Sequence, residues 1–89
     1  MGAVLTIAVE RRADLSGAPG VVVVGADGRV VGYQVRPDPA EALSDLVDTG
    51  RYEGVDAALE YLPEGTRIGP EAIVTLLEHD IPIHAFELP

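Results

Sequence analysis

Two adjacent arginines, Arg11 and Arg12, are the first residues in the chain whose types suggest ligand binding. They follow an apolar run, residues 3–9, that predicts a strand, and loops after strand ends are common ligand sites in α/β sheets. A guanidinium group binds carboxylates and phosphates through paired hydrogen bonds. We therefore interpret these side chains either as contacts for an anionic ligand or as salt-bridge partners on an acidic surface. Gly17 marks the loop in which this site would lie.

A second candidate site is the turn formed by Gly69 and Pro70, which stands between a predicted short strand and a predicted helix. Free backbone N–H groups at the start of a helix can bind an anion. Pro70 removes one of these donors, however, and Glu71 already places a negative charge where the helix dipole favours one. The turn is therefore either half of an anion site or only the start of a helix.

The two histidines, His79 and His84, offer little catalytic or metal chemistry. Glu78, His79 and Asp80 are consecutive, and consecutive helical residues point about 100° apart, so they do not converge on one ion. His84 falls in the last predicted strand, either as a half-buried residue or as the best side-chain ligand if it lines a cleft. No cysteine is present and no serine lies near a histidine in the sequence. We therefore predict no metal site and a protein that is not an enzyme.

Charge limits the classes of partner. The chain has 15 acidic and 6 basic residues, a net charge of −9, and all the basic residues are arginine. Such a surface repels nucleic acid and anionic membranes, whereas it suits a basic partner protein. No apolar run approaches the 18 residues of a membrane span, and no leader-like pattern begins the chain. We expect a cytoplasmic location.

The first half of the chain predicts three strands that would position these residues. Residues 3–9 contain β-branched residues and no breaker and place Leu5, Ile7 and Val9 on one face, which predicts a strand. The four valines at 21–24 predict a central strand that is covered on both faces. Asp27 and Gly28 favour a type I′ hairpin turn. Residues 30–35 would then form the partner strand.

A helix is predicted over residues 38–50. Asp38 is a suitable N-cap, Pro39 fits the first helical position, and Glu41 completes a capping box. Gly50 would end the helix.

The second half alternates helix and strand signals. Residues 54–65 fit either a short helix or a strand, 66–68 a short strand, and 81–86 a final strand after a helix that begins at Pro70. We therefore predict one α/β domain over residues 1–89, with a mixed sheet of about five strands flanked by helices.

Two segments carry a resemblance to a known family. "IGPEAIVTLLEHDIPI" and "LSGAPGVVVV" resemble the dinitrogenase iron–molybdenum cofactor biosynthesis (NifX-like) family. The resemblance implies a ribonuclease-H-like fold, β-β-β-α-β-α-β, and a role in carrying the iron–molybdenum cofactor or its precursors. The family's loop histidine is not matched, because Asp14 or Leu15 stands in its place.

The resemblance implies a small non-enzymatic binding module that holds an iron–molybdenum or iron–sulfur cluster, or a related anionic ligand. The ligand would lie between the loop at residues 10–20 and the turn before the last helix. The contacts would come from Arg11, Arg12, Gly17, Gly69, Pro70 and His84. The alternative is an acidic interaction or regulatory protein that has lost its ligand. Both interpretations include a protein partner and leave the oligomeric state open.

Overall fold

Five strands and two α-helices make up the fold of residues 2–89, which are the residues that the computed structural model describes. The strands are β1 (Leu5–Arg11), β2 (Gly20–Val24), β3 (Val30–Val35), β4 (Leu46–Glu53) and β5 (Ile83–Glu87). The helices are α1 (Val55–Leu59) and α2 (Pro70–Glu78), and one 3-10 turn, Pro39–Glu41, precedes β4. The predicted α/β domain with a five-stranded mixed sheet is confirmed.

The strand order is β3-β2-β4-β1-β5. β1 lies between β4, to which it is antiparallel, and β5, to which it is parallel. The parallel pair is connected through α2, the crossover helix that the alternating pattern predicted. β4 pairs with β1 along its length but with β2 only at Val21 and Val47.

The helix predicted over residues 38–50 is wrong. Asp38 caps only the short 3-10 turn, where its side chain accepts a hydrogen bond from the Ala40 amide at 3.0 Å. The chain then extends into β4, because its adjacent apolar residues serve opposite faces of a strand. Leu46 packs on the main core, whereas Val47 packs on a second cluster behind the sheet. Leu43, expected on the apolar helical stripe, is 72% exposed.

The second half follows the sequence pattern more closely. Residues 54–65 contain the helix α1 rather than a strand, and α2 begins at Pro70 as predicted. The strand predicted at residues 66–68 is wrong, because this segment is an irregular connection between the helices. β4 therefore replaces it as the fifth strand.

The main core lies on one face of the sheet. Alternate residues of β1 point into it, and α2 contributes Ile73 and Leu76. Val22 belongs to this core, while Val21 belongs to the second cluster with Ala18 and Val47. The prediction that the valine strand is covered on both faces is confirmed.

The predicted β2–β3 hairpin is confirmed, but its turn is not of type I′. Gly28 donates its amide to the Gly25 carbonyl at 3.1 Å, and only Gly28 has a positive φ between the strands. A type I′ turn requires positive φ at both central residues. The turn reaches the far edge of the sheet, where the Ala85 amide donates to the Gly28 carbonyl at 3.0 Å. The hairpin therefore pairs with β4 at one end, and its turn contacts β5 at the other end, across the core.

No helix within residues 2–89 has the length and apolar character needed to cross a membrane.

Candidate functional site

A buried carboxylate, Asp48, gathers three hydrogen-bond donors at the centre of the fold. It is 3% exposed, and one of its oxygens, Oδ2, accepts from the hydroxyls of Tyr33 at 2.6 Å and Tyr52 at 2.8 Å. The other, Oδ1, accepts from the Gly50 amide at 2.8 Å. A buried carboxylate is costly unless it is hydrogen-bonded, and here every polar atom has a partner. We call Asp48, Tyr33 and Tyr52 the Asp48 cluster.

β4 has an irregularity that makes this arrangement possible. The register between β1 and β4 shifts between Ala8 and Val9, so that β4 carries extra residues there. Gly50 lies in this bulge with φ 81°, a conformation that glycine adopts without strain. The bulge turns the Gly50 amide back toward Asp48, which leaves Oδ2 for the two tyrosines.

The environment keeps both tyrosines protonated. Burial raises the pKa of Tyr33 far above its ordinary value, and the hydrogen bond to Asp48 raises it further. The pKa of Tyr52 is raised by the same two causes in the same order. The negative charge of Glu71, in the first turn of α2, raises the pKa of Tyr33 as the smallest of its causes.

Arg36 joins three segments beside this cluster. Its amide donates to the Pro19 carbonyl at 3.1 Å, and its Nη2 donates to Glu71 Oε2 at 2.9 Å. The end of the 10–20 loop, the end of β3 and the first turn of α2 therefore meet at this residue. Arg36 has φ 42°, which is uncommon for a residue with a side chain and is often found at functional sites.

The start of α2 lies at this junction, with Glu71 exposed and Ala72 buried. Gly69 is the N-cap and makes no side-chain cap, while Pro70 occupies the first turn. The first amide bonded back to the cap is that of Ile73, so the preceding amides lack helical partners. Arg36 lowers the pKa of the Glu71 carboxyl through their hydrogen bond, so this group is ionised at neutral pH.

The predicted arginine pair is engaged in salt bridges. Arg11 contacts the carboxylates of Asp45 and Glu87, and these hydrogen bonds raise the pKa of its guanidinium group. Arg12 lies 3.4 Å from a carboxylate oxygen of Glu10. Within residues 2–89, neither arginine pairs with a group of the turn before α2.

The other predicted residues lie in separate places. Gly17 has φ 72° in a turn closed by the hydrogen bond from the Ala18 amide to the Leu15 carbonyl. His84 is partly buried on β5, where it is paired with Thr6 of β1 and bridges Arg29 of the hairpin turn. Their role as ligand contacts stays a prediction.

Sequence reasoning missed the residues that the structure brings together. Asp48 was placed in a helix, and the tyrosines were not considered, because nothing local links positions 33, 48 and 52. Arg36 carried a usable signal, since it is a cation directly after a strand and before a proline. In the part of the chain described here, no three His, Asp or Glu side chains are close enough to hold a metal ion.

Comparisons with known proteins point to one class of fold. No family model matches the chain. The UTP–glucose-1-phosphate uridylyltransferase of Synechocystis sp. is 29% identical over 90 residues, which cover 98% of this chain and 23% of that protein. The structure of the inositol-1-phosphate CTP transferase from T. maritima matches 98% of this chain and 36% of that chain, with 19% identity and a TM-score of 0.66.

The chain therefore has the fold of part of a nucleotidyltransferase, and it spans only about a quarter to a third of these two proteins. The prediction that it is not of an enzyme class is wrong, because both proteins that it resembles are transferases. That prediction depended on the absence of a visible nucleophile and base.

Proposed function

We propose that this chain is a nucleotidyltransferase-type unit that binds the phosphorylated substrate, a hydroxylated ring carrying a 1-phosphate. The carrying observation is the junction at Arg36, where a cation at the end of β3 meets the first turn of α2. The names of the two similar proteins support this substrate class, since both contain a ring 1-phosphate.

The groups at the junction match the two parts of such a substrate. The Arg36 guanidinium would bind the phosphate through paired hydrogen bonds, and the Glu71 and Ala72 amides, which have no helical partner, would add to the same contact. Glu71 would accept hydrogen bonds from ring hydroxyls once the phosphate has replaced it at Arg36. Both side chains are mostly exposed, and exposed ion pairs add little stability, so this exchange costs little.

The Asp48 cluster would support the site rather than touch the phosphate. The hydrogen bond from Tyr33 to Asp48 joins β3 to β4, and the bonds from Gly50 and Tyr52 brace β4 itself. A rigid wall of this kind keeps binding groups in position and so reduces the entropy lost on binding.

The test is a titration followed by NMR with glucose 1-phosphate and inositol 1-phosphate. We expect shifts at Arg36, Glu71 and Ala72, and weaker or no shifts with glucose or inorganic phosphate. Arg36→Gln should weaken binding at least tenfold, on the order of the 1.4 kcal/mol or more that a charged hydrogen bond contributes. Arg29→Gln is the matched control, because it removes the same charge at the distant hairpin turn.

Two results would contradict the proposal. One is the absence of shifts near Arg36 at millimolar concentrations of both phosphates. The other is equal weakening by Arg36→Gln and Arg29→Gln, which would mean that only the overall charge matters.

The cluster-carrying role that the NifX-like resemblance implies stays a prediction. It can be tested separately by anaerobic incubation with iron–sulfur and iron–molybdenum clusters, followed by metal analysis of the protein. Loss of metal in the Arg11→Ala/Arg12→Ala variant would support that role. We also propose a cytoplasmic location.

A further inference from the structure

A cavity of about 320 Å³ lies where the connection between α1 and α2 meets the first turns of α2. Leu62 and Pro63, which follow α1, contribute apolar surface to it, and Thr75 lines it from α2. Small-molecule sites have volumes of about 300–1,000 Å³, so this cavity has the size for a single small ring. We call it the α2 cavity.

Glu71 belongs both to the α2 cavity and to the junction at Arg36. It lines the cavity, and its Oε2 accepts a hydrogen bond from Arg36 Nη2 at 2.9 Å. In a ring 1-phosphate, one ester oxygen joins the phosphate to the ring, so the ring must lie next to the bound phosphate. A phosphate held at Arg36 therefore places the ring within reach of the α2 cavity.

Arg67 brings a cation without a carboxylate partner to the same cavity. Within residues 2–89, the ion pairs use Arg11, Arg12 and Arg36 but not Arg67. Its guanidinium group therefore keeps its hydrogen-bond donors for a ligand, while the Glu71 carboxylate is an acceptor. A ring hydroxyl both donates and accepts, so the two side chains together match a hydroxylated ring.

Two threonines add hydroxyl groups to the lining. The Thr75 hydroxyl donates to the Glu71 carbonyl at 3.2 Å, which leaves the lone pairs of its oxygen able to accept from a ring hydroxyl. Thr66 supplies the second hydroxyl-bearing side chain. A few polar groups on a partly apolar lining are the usual composition of a small-molecule site.

Gly69 is a glycine that the fold itself does not require. Its φ of −171° and ψ of −172° are extended values that any residue adopts, and a Cβ atom there would meet no heavy atom within 4 Å. Every other glycine of residues 3–89 has either a positive φ or a neighbouring atom within that distance. Because Gly69 lines the α2 cavity, its missing side chain leaves room for a ligand to approach the backbone.

We propose that the α2 cavity binds the ring of the phosphorylated substrate, and that Glu71 and Arg67 determine which ring is accepted. The phosphate takes the place of Glu71 at Arg36, and the released carboxylate accepts from one ring hydroxyl. Arg67 donates to another ring oxygen. This inference rests on the proposed function, because the phosphate at Arg36 positions the ring.

A second cavity beside the junction fits the ring less well. It has a volume of about 280 Å³ and includes Pro19, whose carbonyl accepts from the Arg36 amide. Its polar groups already have partners within the protein. Asp48 accepts three hydrogen bonds, Arg12 lies beside a carboxylate, and the Thr49 hydroxyl donates to the backbone of β1. A ring would have to break these contacts to bind there.

The test compares glucose 1-phosphate with methyl phosphate, which carries the same phosphate group without a ring. Each is titrated into the folded chain, and binding is followed by NMR. We expect both to shift Arg36, but only glucose 1-phosphate to shift Thr66, Arg67 and Gly69. Glucose 1-phosphate should also bind at least about fivefold more tightly, the effect of one additional hydrogen bond.

Variants of Arg67 and Gly69 separate the ring from the phosphate. Arg67→Gln should weaken glucose 1-phosphate at least about fivefold and methyl phosphate less than twofold, because it removes contacts to the ring alone. Arg29→Gln is the control of equal charge at the distant hairpin turn and should affect the two ligands alike. Gly69→Val keeps the charge but occupies cavity space, so it should weaken glucose 1-phosphate only.

Glu71→Gln should change the two affinities in opposite directions. It frees Arg36 from a competing carboxylate, so methyl phosphate should bind as tightly as before or more tightly. The preference for glucose 1-phosphate should fall, because an uncharged amide is a weaker acceptor for a ring hydroxyl. Circular dichroism confirms that each variant is folded before affinities are compared.

Three outcomes would overturn the inference. Equal weakening of both phosphates by Arg67→Gln would mean that Arg67 acts only through its charge. Glucose 1-phosphate that shifts Asp48 and Thr49 but not Arg67 would place the ring in the second cavity. If neither phosphate shifts Arg36, the proposed function fails and this inference with it, whereas a response at Arg36 without one in the α2 cavity contradicts the ring site alone.

Discussion

The Tyr33 hydroxyl group lies directly over the backbone of Gly20, where a Cβ atom at position 20 would come within 1.9 Å of it. Gly20 begins β2, and Tyr33 lies on the neighbouring strand β3, where it is paired with Val22. Glycine is therefore required at position 20 because of a side chain on the neighbouring strand, and this contact determines where Tyr33 presents its hydroxyl to Asp48.

Gly20→Ala should destabilise the protein by about 1–3 kcal/mol, the usual cost of forcing extra volume into a packed site. Urea unfolding followed by circular dichroism measures the effect. Combining Gly20→Ala with Tyr33→Ala should recover part of the loss, because the second change removes the clash. A Gly20→Ala variant within 0.5 kcal/mol of the parent, a typical surface effect, would contradict this close packing.

Removing the Asp48 carboxylate should cost more than removing one tyrosine hydroxyl. Asp48→Ala leaves the Tyr33 and Tyr52 hydroxyls without their acceptor, and hydrogen bonds to a charged group contribute about 1.5–3 kcal/mol each. We expect a loss of about 3–5 kcal/mol, against about 1–2 kcal/mol for Tyr52→Phe. Denaturant midpoints measure both. Equal losses in the two variants would mean that the carboxylate is not the centre of the network.

Stability should fall at alkaline pH because of the same cluster. The pKa values of Tyr33 and Tyr52 are raised in the folded state, mainly by burial and then by the hydrogen bond to Asp48. Unfolding restores an ordinary pKa near 10, so the unfolded chain loses these protons first as the pH rises. The free energy of unfolding should therefore be constant below about pH 9 and decrease above about pH 10.

Replacing both tyrosines by phenylalanine is the control for this pH dependence. Tyr33→Phe/Tyr52→Phe should lower stability at neutral pH and flatten the decrease above pH 10. Unfolding curves recorded between pH 7 and 11 give the comparison. If the double variant kept the slope of the parent, other groups would be the source of the alkaline loss.

Gly54 is the N-cap of α1, and Gly65, which follows the helix, is a matched control for testing how α1 begins. Both have a positive φ, near 85° and 87°, but a Cβ atom at Gly54 would lie 2.2 Å from the Val4 carbonyl oxygen, whereas Gly65 faces open space. Gly65→Ala should cost about 1–2 kcal/mol, the ordinary penalty for a left-handed alanine. Gly54→Ala adds a clash with backbone and should cost at least about 1 kcal/mol more.

Thermal unfolding of the two variants measures this difference. In a domain of this size, 1 kcal/mol corresponds to about 4–8 °C in the melting temperature. Equal melting temperatures would show that the chain before β1 moves away from α1 without cost.

Segments whose signals are local were predicted well. The β2–β3 hairpin follows from a valine run and an Asp27-Gly28 turn, and α2 follows from Pro70 and apolar residues at helical spacing. Each signal acts within a few residues of chain, so no distant contact is needed to interpret it.

β4 shows why the remainder could not be predicted. Its residues follow a complete set of helix-start signals at Asp38, Pro39 and Glu41, and these do form one 3-10 turn. β1 and β2 then supply hydrogen-bond partners for an extended chain, and this pairing outweighs the weak local preference for a helix.

Composition and local pattern established an acidic α/β protein with an aliphatic core, a hairpin and a final helix–strand unit. The candidate site, by contrast, was decided by the tertiary structure. Tyr33, Asp48 and Tyr52 meet only because β4 inserts between β1 and β2 and bulges at Gly50, and Arg36 meets Glu71 only because the hairpin packs against α2. These contacts join residues from separate strands and helices, and hydrophobic periodicity carries no information about which strands become neighbours.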